Sequence, residues 1–424
     1  MKQIALQPLR KPVTATVVIP GSKSVTNRAL IMAALTKGAV SIKYPLWSDD
    51  TEAMIDCLNI LGIKIEKRKN EVIVHGSIAD IQNKRYELNA RLSGTTIRFI
   101  TALSAVVPGV KSIYGVGHLN ERPIKDLAEG LQQLGADIRY ERREGFPPLI
   151  VHQANMIKRS LRINGNVSSQ YFTALLMIAP VVGGLTIEVE GNQISKPYID
   201  ITLEMMKKWG VSVQNNEYAS YVVPEGQYRM DEYIVEGDYS AAGYFAGIAA
   251  LTGSTITLEN LNPNSTQGDK KFLEIIQEMG NMVTWGNQSV TVEGKGIKAL
   301  NIDMENCPDQ AQTLAVLAAF ADGKTKMTGV RSLRVKETER VLAVQEELDK
   351  MGVHTESSDE DTLIVYGGNP HDAAIHTYHD HRMAMSFAMA GAKIEGMKIN
   401  DPDVVKKTFP EYWEKLKTIG VKSS

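Results

Sequence analysis

The chain has 424 residues, of which 43% are hydrophobic and 23% are charged, and its formal net charge at pH 7 is −2. This length favours two domains, and the charge argues against nucleic acid or a membrane surface as the main partner. No apolar run is long enough for a membrane-spanning helix, and the N-terminal stretch has no signal-peptide pattern. The only two cysteines, Cys57 and Cys307, fit a protein of the reducing cytoplasm.

A repeat of about seventy residues runs through the chain. Six predicted helices each end in an apolar residue followed by glycine, and a short β-prone segment comes next. We expect each glycine to adopt a positive φ and to cap its helix. The six positions are Gly62, Gly135, Gly210, Gly280, Gly352 and Gly420.

A second set of helices is predicted between these caps, and its members are apolar on nearly every side. Such helices are expected to be buried. Strands that alternate with buried helices indicate an α/β or α+β protein. Six units suggest three in each domain, with the division near residues 233–238. The apolar segments are residues 27–35, 96–107, 170–182, 241–251 and 310–321.

The loop at residues 20–28, PGSKSVTNR, leads into the first buried helix. Gly21 lets the backbone approach a ligand, and the free N–H groups of a helix start attract anions. The loop is not a Walker A motif, because Val17 and Ser22 stand where that motif has glycine, so an NTPase is disfavoured. The structural alternative is a turn with a hydroxyl or amide cap.

Residues 332–340, SLRVKETER, are predicted to open a helix that ends before Gly352. At helical spacing Lys336, Glu337 and Arg340 point the same way, so two cations flank a carboxylate at the positive end of the helix. This arrangement suits an anionic substrate, because the cations bind phosphate or carboxylate and the carboxylate transfers protons. The alternative is a solvated first turn with surface ion pairs.

Polar side chains cluster at the helix starts of all six units. If these starts face one cleft, the cations have few acids between them and repel one another unless a multiply charged anion binds. The residues alone therefore predict a two-domain enzyme for small phosphorylated or carboxylated substrates. A metal site is not expected, because no HExxH or Cys-x-x-Cys pattern occurs. The cations are Lys23, Arg28, Arg122, Lys336, Arg340, Arg382 and Lys407.

Nine segments between residues 20 and 410 resemble, in order, the motifs of the 5-enolpyruvylshikimate-3-phosphate synthase family. The resemblance implies an α/β (α+β) protein with two similar domains, each built from three βαβαββ repeats with buried helices. This is the enolpyruvyl transferase fold, an inside-out α/β barrel. It implies one domain at 20–235 and a discontinuous one at 1–19 plus 236–424. The segments are PGSKSVTNR, SGTTIR, ERPI, SSQ, SKPYID, PDQAQT, RVKETER, DHRMAM and KTFP.

The resemblance also implies an activity. The family transfers the enolpyruvyl group of phosphoenolpyruvate to the 5-hydroxyl of shikimate 3-phosphate and releases phosphate, by addition and elimination through a tetrahedral intermediate. The reaction belongs to the shikimate pathway to chorismate and the aromatic amino acids. A cytoplasmic monomer is implied, with no cofactor, metal, nucleic acid or membrane partner. The alternatives are a UDP-N-acetylglucosamine enolpyruvyl transferase, whose GxKN start and loop cysteine this sequence lacks, and a non-catalytic phosphometabolite-binding protein.

By motif, the resemblance assigns residues to both substrates. For shikimate 3-phosphate they are Lys23, Ser24, Arg28, Ser168, Ser169, Gln170, Ser195, Asp309, Ser332 and Lys336. For phosphoenolpyruvate they are Lys23, Gly94, Arg122, Gln170, Arg340, Arg382 and Lys407.

Two proton transfers are needed in this reaction. The resemblance implies that Asp309 accepts the proton of the 5-hydroxyl and that Glu337 protonates C3. Lys336 and Arg340 beside Glu337 favour its charged form, which is the wrong form for an acid. A bound phosphate and carboxylate would offset these cations. Lys23 is the alternative acid.

The sequence departs from the family pattern at three places. Arg91-Leu92 stands where the family has Gly-Asn, and Phe99 stands where it has proline. Both changes could shift the loop of Gly94 and so alter the binding of phosphoenolpyruvate or of the herbicide glyphosate. Gly94 itself keeps the small residue associated with glyphosate sensitivity. Ser332 replaces an asparagine and has a shorter reach.

Overall fold

The computed structural model describes residues 2–154, 156 and 158–424. The chain divides into two compact units. The continuous unit is Gly21–Val235, and the discontinuous unit combines Met1–Pro20 with Glu236–Ser424. Each unit has its own hydrophobic core. Among the residues described, no helix has both the length and the hydropathy needed to cross a membrane.

The strands are short and follow one another along both units. In chain order they are β1 (Gln3–Gln7), β2 (Thr14–Val18), β3 (Val40–Lys43), β4 (Ile65–Arg68), β5 (Glu71–Val74), β6 (Arg85–Asn89), β7 (Val110–Tyr114), β8 (Ile138–Tyr140), β9 (Leu149–His152), β10 (Ser160–Asn164), β11 (Leu185–Glu190), β12 (Gln214–Asn216), β13 (Ser220–Val223), β14 (Glu232–Ile234), β15 (Thr255–Glu259), β16 (Met282–Trp285), β17 (Ser289–Glu293), β18 (Asn301–Asp303), β19 (Lys324–Thr328), β20 (Thr355–Glu356), β21 (Leu363–Tyr366), β22 (Ala374–Ile375), β23 (Lys398–Asn400) and β24 (Lys422–Ser423).

The α-helices alternate with these strands. They are α1 (Lys23–Ala34), α2 (Asp49–Leu61), α3 (Gly94–Val106), α4 (Lys125–Gln133), α5 (Ser169–Ile178), α6 (Lys196–Lys208), α7 (Tyr239–Thr252), α8 (Lys271–Glu278), α9 (Ala311–Ala318), α10 (Arg340–Lys350), α11 (His381–Gly391) and α12 (Tyr412–Thr418).

The described strands form six open four-stranded sheets with one common pattern. In each sheet the first two strands are parallel, and the remaining two pair antiparallel. The sheets of the continuous unit are β14-β3-β5-β4, β6-β7-β9-β8 and β10-β11-β13-β12. Those of the discontinuous unit are β2-β15-β17-β16, β18-β19-β21-β20 and β22-β23-β1-β24, so β1 from the start of the chain takes the third position in the last sheet, between β23 and β24.

One helix of each repeat is buried on nearly every side. In the continuous unit these helices are α1, α3 and α5, and in the discontinuous unit they are α7, α9 and α11. Within each unit they pack on one another. The strands bury alternate residues, as expected for a sheet that covers a core on one face. The predicted buried helices and the α/β class are confirmed.

The six repeat glycines all have a positive φ, between 77° and 107°. In every case the residue after the glycine donates its N–H to the carbonyl five residues earlier, at 2.8–3.3 Å, as in Ile63 to Leu58 and Val353 to Leu348. These bonds satisfy carbonyls that would otherwise end the helix unpaired. The predicted glycine caps are therefore confirmed.

Gly210→Ala tests the cap without a steric clash. A Cβ at Gly210 would meet no atom within 4 Å, but its φ is +90°. We therefore expect a loss of about 1–2 kcal/mol in the free energy of unfolding, caused by backbone strain alone. Gly226→Ala in the same unit is the control, because Gly226 has no positive φ and its Cβ would lie 3.6 Å from Val211. Equal urea midpoints for the two variants would contradict the argument.

The predicted start of the helix at residue 332 is wrong. Residues Arg331–Val335 form a 3₁₀ turn, and α10 begins only at Arg340. The backbone of Lys336 leaves the helical region with ψ of −146°. Glu339 then caps the helix by accepting the N–H of Leu342. Lys336 and Glu337 therefore lie on a loop, and this loop, rather than a helix face, sets the direction of their side chains.

Candidate functional site

Arg340 is the centre of a buried ion-pair cluster in the discontinuous unit. Its side chain is 2% exposed and contacts three carboxylates. The guanidinium lies 2.7 Å from Asp380, 2.8 Å from Glu337 and 3.1 Å from Asp309. Arg340 is the first residue of α10, and Asp380 caps α11, so the two helix starts are joined at this point.

Asp309 is shared by three cations. Arg382 Nη2 lies 2.7 Å from its Oδ2, Arg340 Nη1 lies 3.1 Å from its Oδ1, and Lys336 Nζ lies 3.9 Å from the same Oδ1. Burial acts to raise the pKa of Asp309, but Arg382, Lys336 and Arg340 outweigh it and hold that pKa well below its usual range. Asp309 is therefore a carboxylate that can accept a proton only weakly while these cations surround it.

Glu337 is held by two cations. Arg340 Nη2 lies 2.8 Å from one carboxylate oxygen, and Lys407 Nζ lies 3.1 Å from the other. Lys407 belongs to the 3₁₀ turn Pro402–Lys407 and is 6% exposed. The sequence placed Lys336 and Arg340 beside Glu337; Arg340 is confirmed there, Lys407 is a partner that the spacing did not predict, and Lys336 Nζ lies 3.9 Å from Asp309. The reason is the loop course before Arg340, which separates Lys336 from the helical spacing assumed for it.

The expectation of few acids among the cations is also wrong. In this unit four cations surround three carboxylates, and Asp380 is completely buried. The cluster is therefore close to electrical balance and leaves one positive charge in surplus. We call these seven residues the Arg340 cluster: Asp309, Lys336, Glu337, Arg340, Asp380, Arg382 and Lys407.

Asp380 was given no role from the sequence. A signal was available, because an aspartate directly before a helix is a common N-cap. Its side chain accepts the N–H of Arg382 at 2.8 Å and thereby caps α11. Ser332 lies half-buried in the turn Arg331–Val335, which leads into the loop of Lys336.

The continuous unit carries the other predicted residues. Lys23 opens α1, and its Nζ lies 3.2 Å from Asp50, an almost fully buried carboxylate that the sequence did not single out. Arg28 is 2% exposed. Its guanidinium donates to Ser24 O, Thr202 Oγ1 and Tyr198 O, each at 2.9 Å. Burial lowers the pKa of Arg28 to about 10. These bonds and a fourth to Thr173 occupy most of the five N–H donors of Arg28.

Gly94 begins α3 and lies against two arginines. A Cβ added at Gly94 would lie 2.6 Å from Arg122 Nη1 and 2.7 Å from Arg98 Nη1. Arg98 is fixed by its bonds to Gly94 O and Gln170 Oε1, both at 2.9 Å, and to Pro123 O at 3.2 Å. The glycine is needed here because a side chain would displace the guanidinium groups. Arg98 was quoted in a motif but assigned no role.

The predicted serines lie at two other helix starts of this unit. Ser168 caps α5 by accepting the N–H of Gln170 at 3.3 Å, and Ser169 is buried. Ser195 precedes α6 in the left-handed region, with φ of 53°. The chain thus places Lys23, Ser24, Gly94, Ser168 and Ser195 at helix starts, as their loops predicted.

The departures from the family pattern have local explanations. Arg91 has φ of 51°, donates its N–H to Asn89 at 2.8 Å and pairs with Asp56, so the loop before Gly94 is held without the glycine of the family pattern. Leu92 is half-buried. Phe99 is 1% exposed, and the Arg28 guanidinium lies 5.7 Å from its ring centroid. This cation–π contact ties α1 to α3.

No cluster of three or more His, Cys, Asp or Glu side chains suited to a metal ion occurs in the part of the chain that the structure describes. Both cysteines are buried thiols, and burial raises the pKa of each to about 12. Neither thiol is therefore suited to act as a nucleophile near neutral pH.

Known proteins resemble this chain over almost its full length. A family model for EPSP synthase (3-phosphoshikimate 1-carboxyvinyltransferase) matches residues 9–416. A 3-phosphoshikimate 1-carboxyvinyltransferase of Ralstonia nicotianae is 42% identical over 429 residues, covering 97% of this chain and 98% of the relative. One of Burkholderia lata is 41% identical over 421 residues, covering 96% of this chain and 97% of the relative.

The fold agrees with these sequence matches. The structure of an EPSP synthase from Acinetobacter baumannii superposes with a TM-score of 0.84, covering 100% of this chain and 99% of that chain at 24% sequence identity. With a family match from residue 9 to residue 416 and relatives more than 40% identical, the chain belongs to the EPSP synthase (3-phosphoshikimate 1-carboxyvinyltransferase) family.

Proposed function

We propose that the protein transfers the enolpyruvyl group of phosphoenolpyruvate to the 5-hydroxyl of shikimate 3-phosphate and releases phosphate. One observation carries the proposal: two carboxylates suited to proton transfer, Asp309 and Glu337, are held by the same buried arginine, Arg340, and are surrounded by further cations. The cations attract the anionic substrates, and the carboxylates handle the protons of addition and elimination.

Asp309 is proposed as the acceptor of the 5-hydroxyl proton. It is ionised in the unliganded protein, which an acceptor requires, but the cations around it make it a weak base. Substrate anions that bind Lys336, Arg340 and Arg382 would compete with Asp309 for these cations. Its basicity would then rise as the site fills, so that proton transfer follows binding.

Glu337 is proposed as the donor of a proton to C3 and as the acceptor of that proton during elimination. In the unliganded protein Arg340 and Lys407 both favour its charged form. Binding of the phosphate and carboxylate of phosphoenolpyruvate to these cations would reverse that preference. Lys23 of the continuous unit remains the alternative acid.

The remaining assignments follow the family motifs. Shikimate 3-phosphate is assigned to Lys23, Ser24, Arg28, Ser168, Ser169, Gln170, Ser195, Asp309, Ser332 and Lys336, and phosphoenolpyruvate to Lys23, Gly94, Arg122, Gln170, Arg340, Arg382 and Lys407. We retain the domains 20–235 and 1–19 plus 236–424, a cytoplasmic monomer and no cofactor as parts of the proposal. Cations of this number supply the stabilisation of the leaving phosphate that a metal supplies elsewhere.

Phosphate release from purified protein tests the proposal. The assay contains shikimate 3-phosphate and phosphoenolpyruvate, together or singly, with EDTA present. We expect release only with both substrates, and we expect the chelator to have no effect. Asp309→Asn is the matched variant, because it keeps the shape of the side chain and removes its capacity to accept the proton.

The other outcomes separate the alternatives. Release with UDP-N-acetylglucosamine in place of shikimate 3-phosphate would assign the chain to the related transferase. Tight binding of both substrates without any turnover, unchanged by Asp309→Asn, would indicate a phosphometabolite-binding protein. Either result would overturn the proposal.

Gly94→Ala is expected to weaken phosphoenolpyruvate selectively. The new Cβ would lie within 3.0 Å of Arg122 and Arg98, and Arg98 is fixed by its bonds to Gly94 O and Gln170. Arg122 must therefore leave its present position. We expect KM for phosphoenolpyruvate to rise about tenfold, equivalent to about 1.4 kcal/mol, with KM for shikimate 3-phosphate unchanged.

Steady-state kinetics with each substrate varied in turn check this. An equal rise in both KM values would mean that the substitution damages the unit as a whole. An unchanged KM for phosphoenolpyruvate would show that Arg122 does not bind it. Glyphosate, for which Gly94 predicts sensitivity, is to be titrated against both proteins in the same assay.

A further inference from the structure

Asp269 is a buried carboxylate beside the Arg340 cluster that the reaction scheme does not use. It lies in the 3₁₀ turn Gly268–Lys270 before α8 and is 6% exposed. Its Oδ2 accepts a hydrogen bond from Ser240 Oγ. Its Oδ1 is buried and has no hydrogen-bond partner among the described residues. A charged carboxylate is poorly stabilised with only one such partner, and a neutral acid is tolerated better.

A single hydroxyl links Asp269 to Arg382. Ser240 Oγ donates to Asp269 and lies 3.4 Å from Arg382 Nη2, from which it can accept. The same Nη2 lies 2.7 Å from Asp309 Oδ2. Because Ser240 has one hydroxyl proton, its donation to an ionised Asp269 leaves its oxygen free to accept from Arg382. Protonation of Asp269 would change this polarity.

Asp269 has several ionisable neighbours, and their charges affect its pKa. Asp238 stands before α7, Cys307 and Asp309 before α9, and Arg382 on α11. Burial and the charge of Asp309 raise the pKa of Asp269 to about 7, against the opposing effect of Arg382. The pKa of Asp309 is held well below its usual range, and that of Cys307 is raised to about 12. Neither Asp309 nor Cys307 changes its charge near pH 7.

We propose that Asp269 is a positioning residue that takes up a proton from solvent when an anion binds at Arg382. The inference rests on the proposed function only in taking Arg382 as an anion-binding group. A bound anion adds negative charge beside Asp269 and draws Arg382 away from Ser240, and both effects favour the neutral acid. By linkage, the affinity for the anion falls as pH rises through the range in which Asp269 ionises, by at most about tenfold per pH unit.

Proton uptake on binding of sulfate tests the inference. Sulfate does not titrate near neutral pH, so any proton taken up from solution is bound by the protein. Sulfate is added to the unbuffered, full-length protein in a pH-stat at a series of pH values from about 6 to 8. We expect a maximum uptake of about half a proton per molecule at saturation, between about pH 7 and 8, because the maximum lies midway between the pKa of Asp269 in the free protein and its higher pKa in the complex. If the parent protein takes up no protons at any pH in this range, the inference is wrong, and no variant is needed to show it.

Two variants separate Asp269 from other groups. Asp269→Asn is expected to lower the uptake near neutral pH severalfold, and Asp322→Asn, an exposed carboxylate, is expected to leave it unchanged. Ser240→Ala is expected to shift the maximum to higher pH, because its hydrogen bond stabilises the ionised form of Asp269. An uptake in Asp269→Asn equal to that of the parent protein, or a maximum that stays in place in Ser240→Ala, would overturn the inference.

Kinetics provide a readout that a merely structural role would not change. In Asp269→Asn we expect the dependence of KM for phosphoenolpyruvate on pH to flatten near pH 7 relative to the parent protein, with kcat preserved. Phosphoenolpyruvate itself titrates equally in both assays, so its titration does not contribute to the difference between the two proteins. Uptake of protons in a protein without turnover would overturn the proposed function and leave this inference standing. Turnover in which KM for phosphoenolpyruvate depends on pH equally in the parent protein and in Asp269→Asn would overturn this inference and leave the proposed function standing.

Discussion

Replacing Arg340 with methionine is expected to destabilise the discontinuous unit by about 3–5 kcal/mol. The substitution removes the shared partner of Asp309, Glu337 and Asp380, and Asp380 is 0% exposed. A buried carboxylate without its cation must either remain charged in an apolar setting or take up a proton. The expected result is a lower urea midpoint, measured by circular dichroism at pH 7.

The control is Arg331→Met, which breaks an exposed ion pair with Glu360 of similar distance, 2.7 Å. We expect its midpoint to stay close to that of the parent protein, because solvent screens such pairs. Adding Asp380→Asn to Arg340→Met should restore part of the loss, since the unpaired charge disappears. Equal midpoints for the two arginine variants, or a double variant weaker by the full sum, would refute the assigned role of the buried charges.

Glu337→Gln is expected to lower kcat by about 100- to 10,000-fold, because the amide cannot exchange a proton with C3. The shape of the side chain is kept, so both substrates should still bind within a few-fold of their parent affinities. Glu339→Gln is the control: Glu339 caps α10 and pairs with Arg334 on the same loop, but it has no assigned part in the chemistry. Its kcat should match that of the parent protein.

Exchange at C3 separates the two candidate acids. In deuterium oxide the parent protein should introduce deuterium at C3 of phosphoenolpyruvate when shikimate 3-phosphate is present. If Glu337→Gln still exchanges at the parent rate while Lys23→Met does not, Lys23 is the acid and the assignment to Glu337 is wrong. Loss of exchange in Glu337→Gln alone supports the assignment made here.

The features that the sequence predicts well are those set by local chemistry. A positive φ at the end of a helix favours glycine, so Gly62 and Gly352 were identified correctly. A helix that is apolar on nearly every side must be buried, so α3 and α7 were also identified correctly. The starts of α3 and α5 were also found, because the hydroxyls of Ser93 and Ser168 cap these helices.

The pairing of charges could not be predicted in the same way. The pairing of Lys407 with Glu337 and of Lys336 with Asp309 was not predicted, because a loop and not a helix precedes Arg340. Asp380 lies 40 residues along the chain from Arg340, and Asp269 lies 29 residues from Ser240, so no spacing rule connects these partners. Ion pairs between distant segments depend on the packing of helices, which sequence periodicity does not specify.

The placement of β1 and β2 bears on the order of folding during synthesis on the ribosome. β2 pairs in parallel with β15, and Thr14 lies opposite Thr255, so the whole continuous unit is translated before this pairing is available. That unit needs no later segment for its three sheets. Its first and last residues lie close together, because a Cβ at Gly21 would be 3.2 Å from Val235.

Once the continuous unit has folded, it holds the two ends of the segment between β2 and β15 close together. The entropic cost of joining β2 to β15 is then that of a few residues rather than of the whole inserted segment. β1 must wait longer still, since its partners are β23 and β24. β1 and β2 of the discontinuous unit thus stay unpaired until late in translation. Unpaired strands are prone to aggregate, so chaperones are most needed at this stage of synthesis.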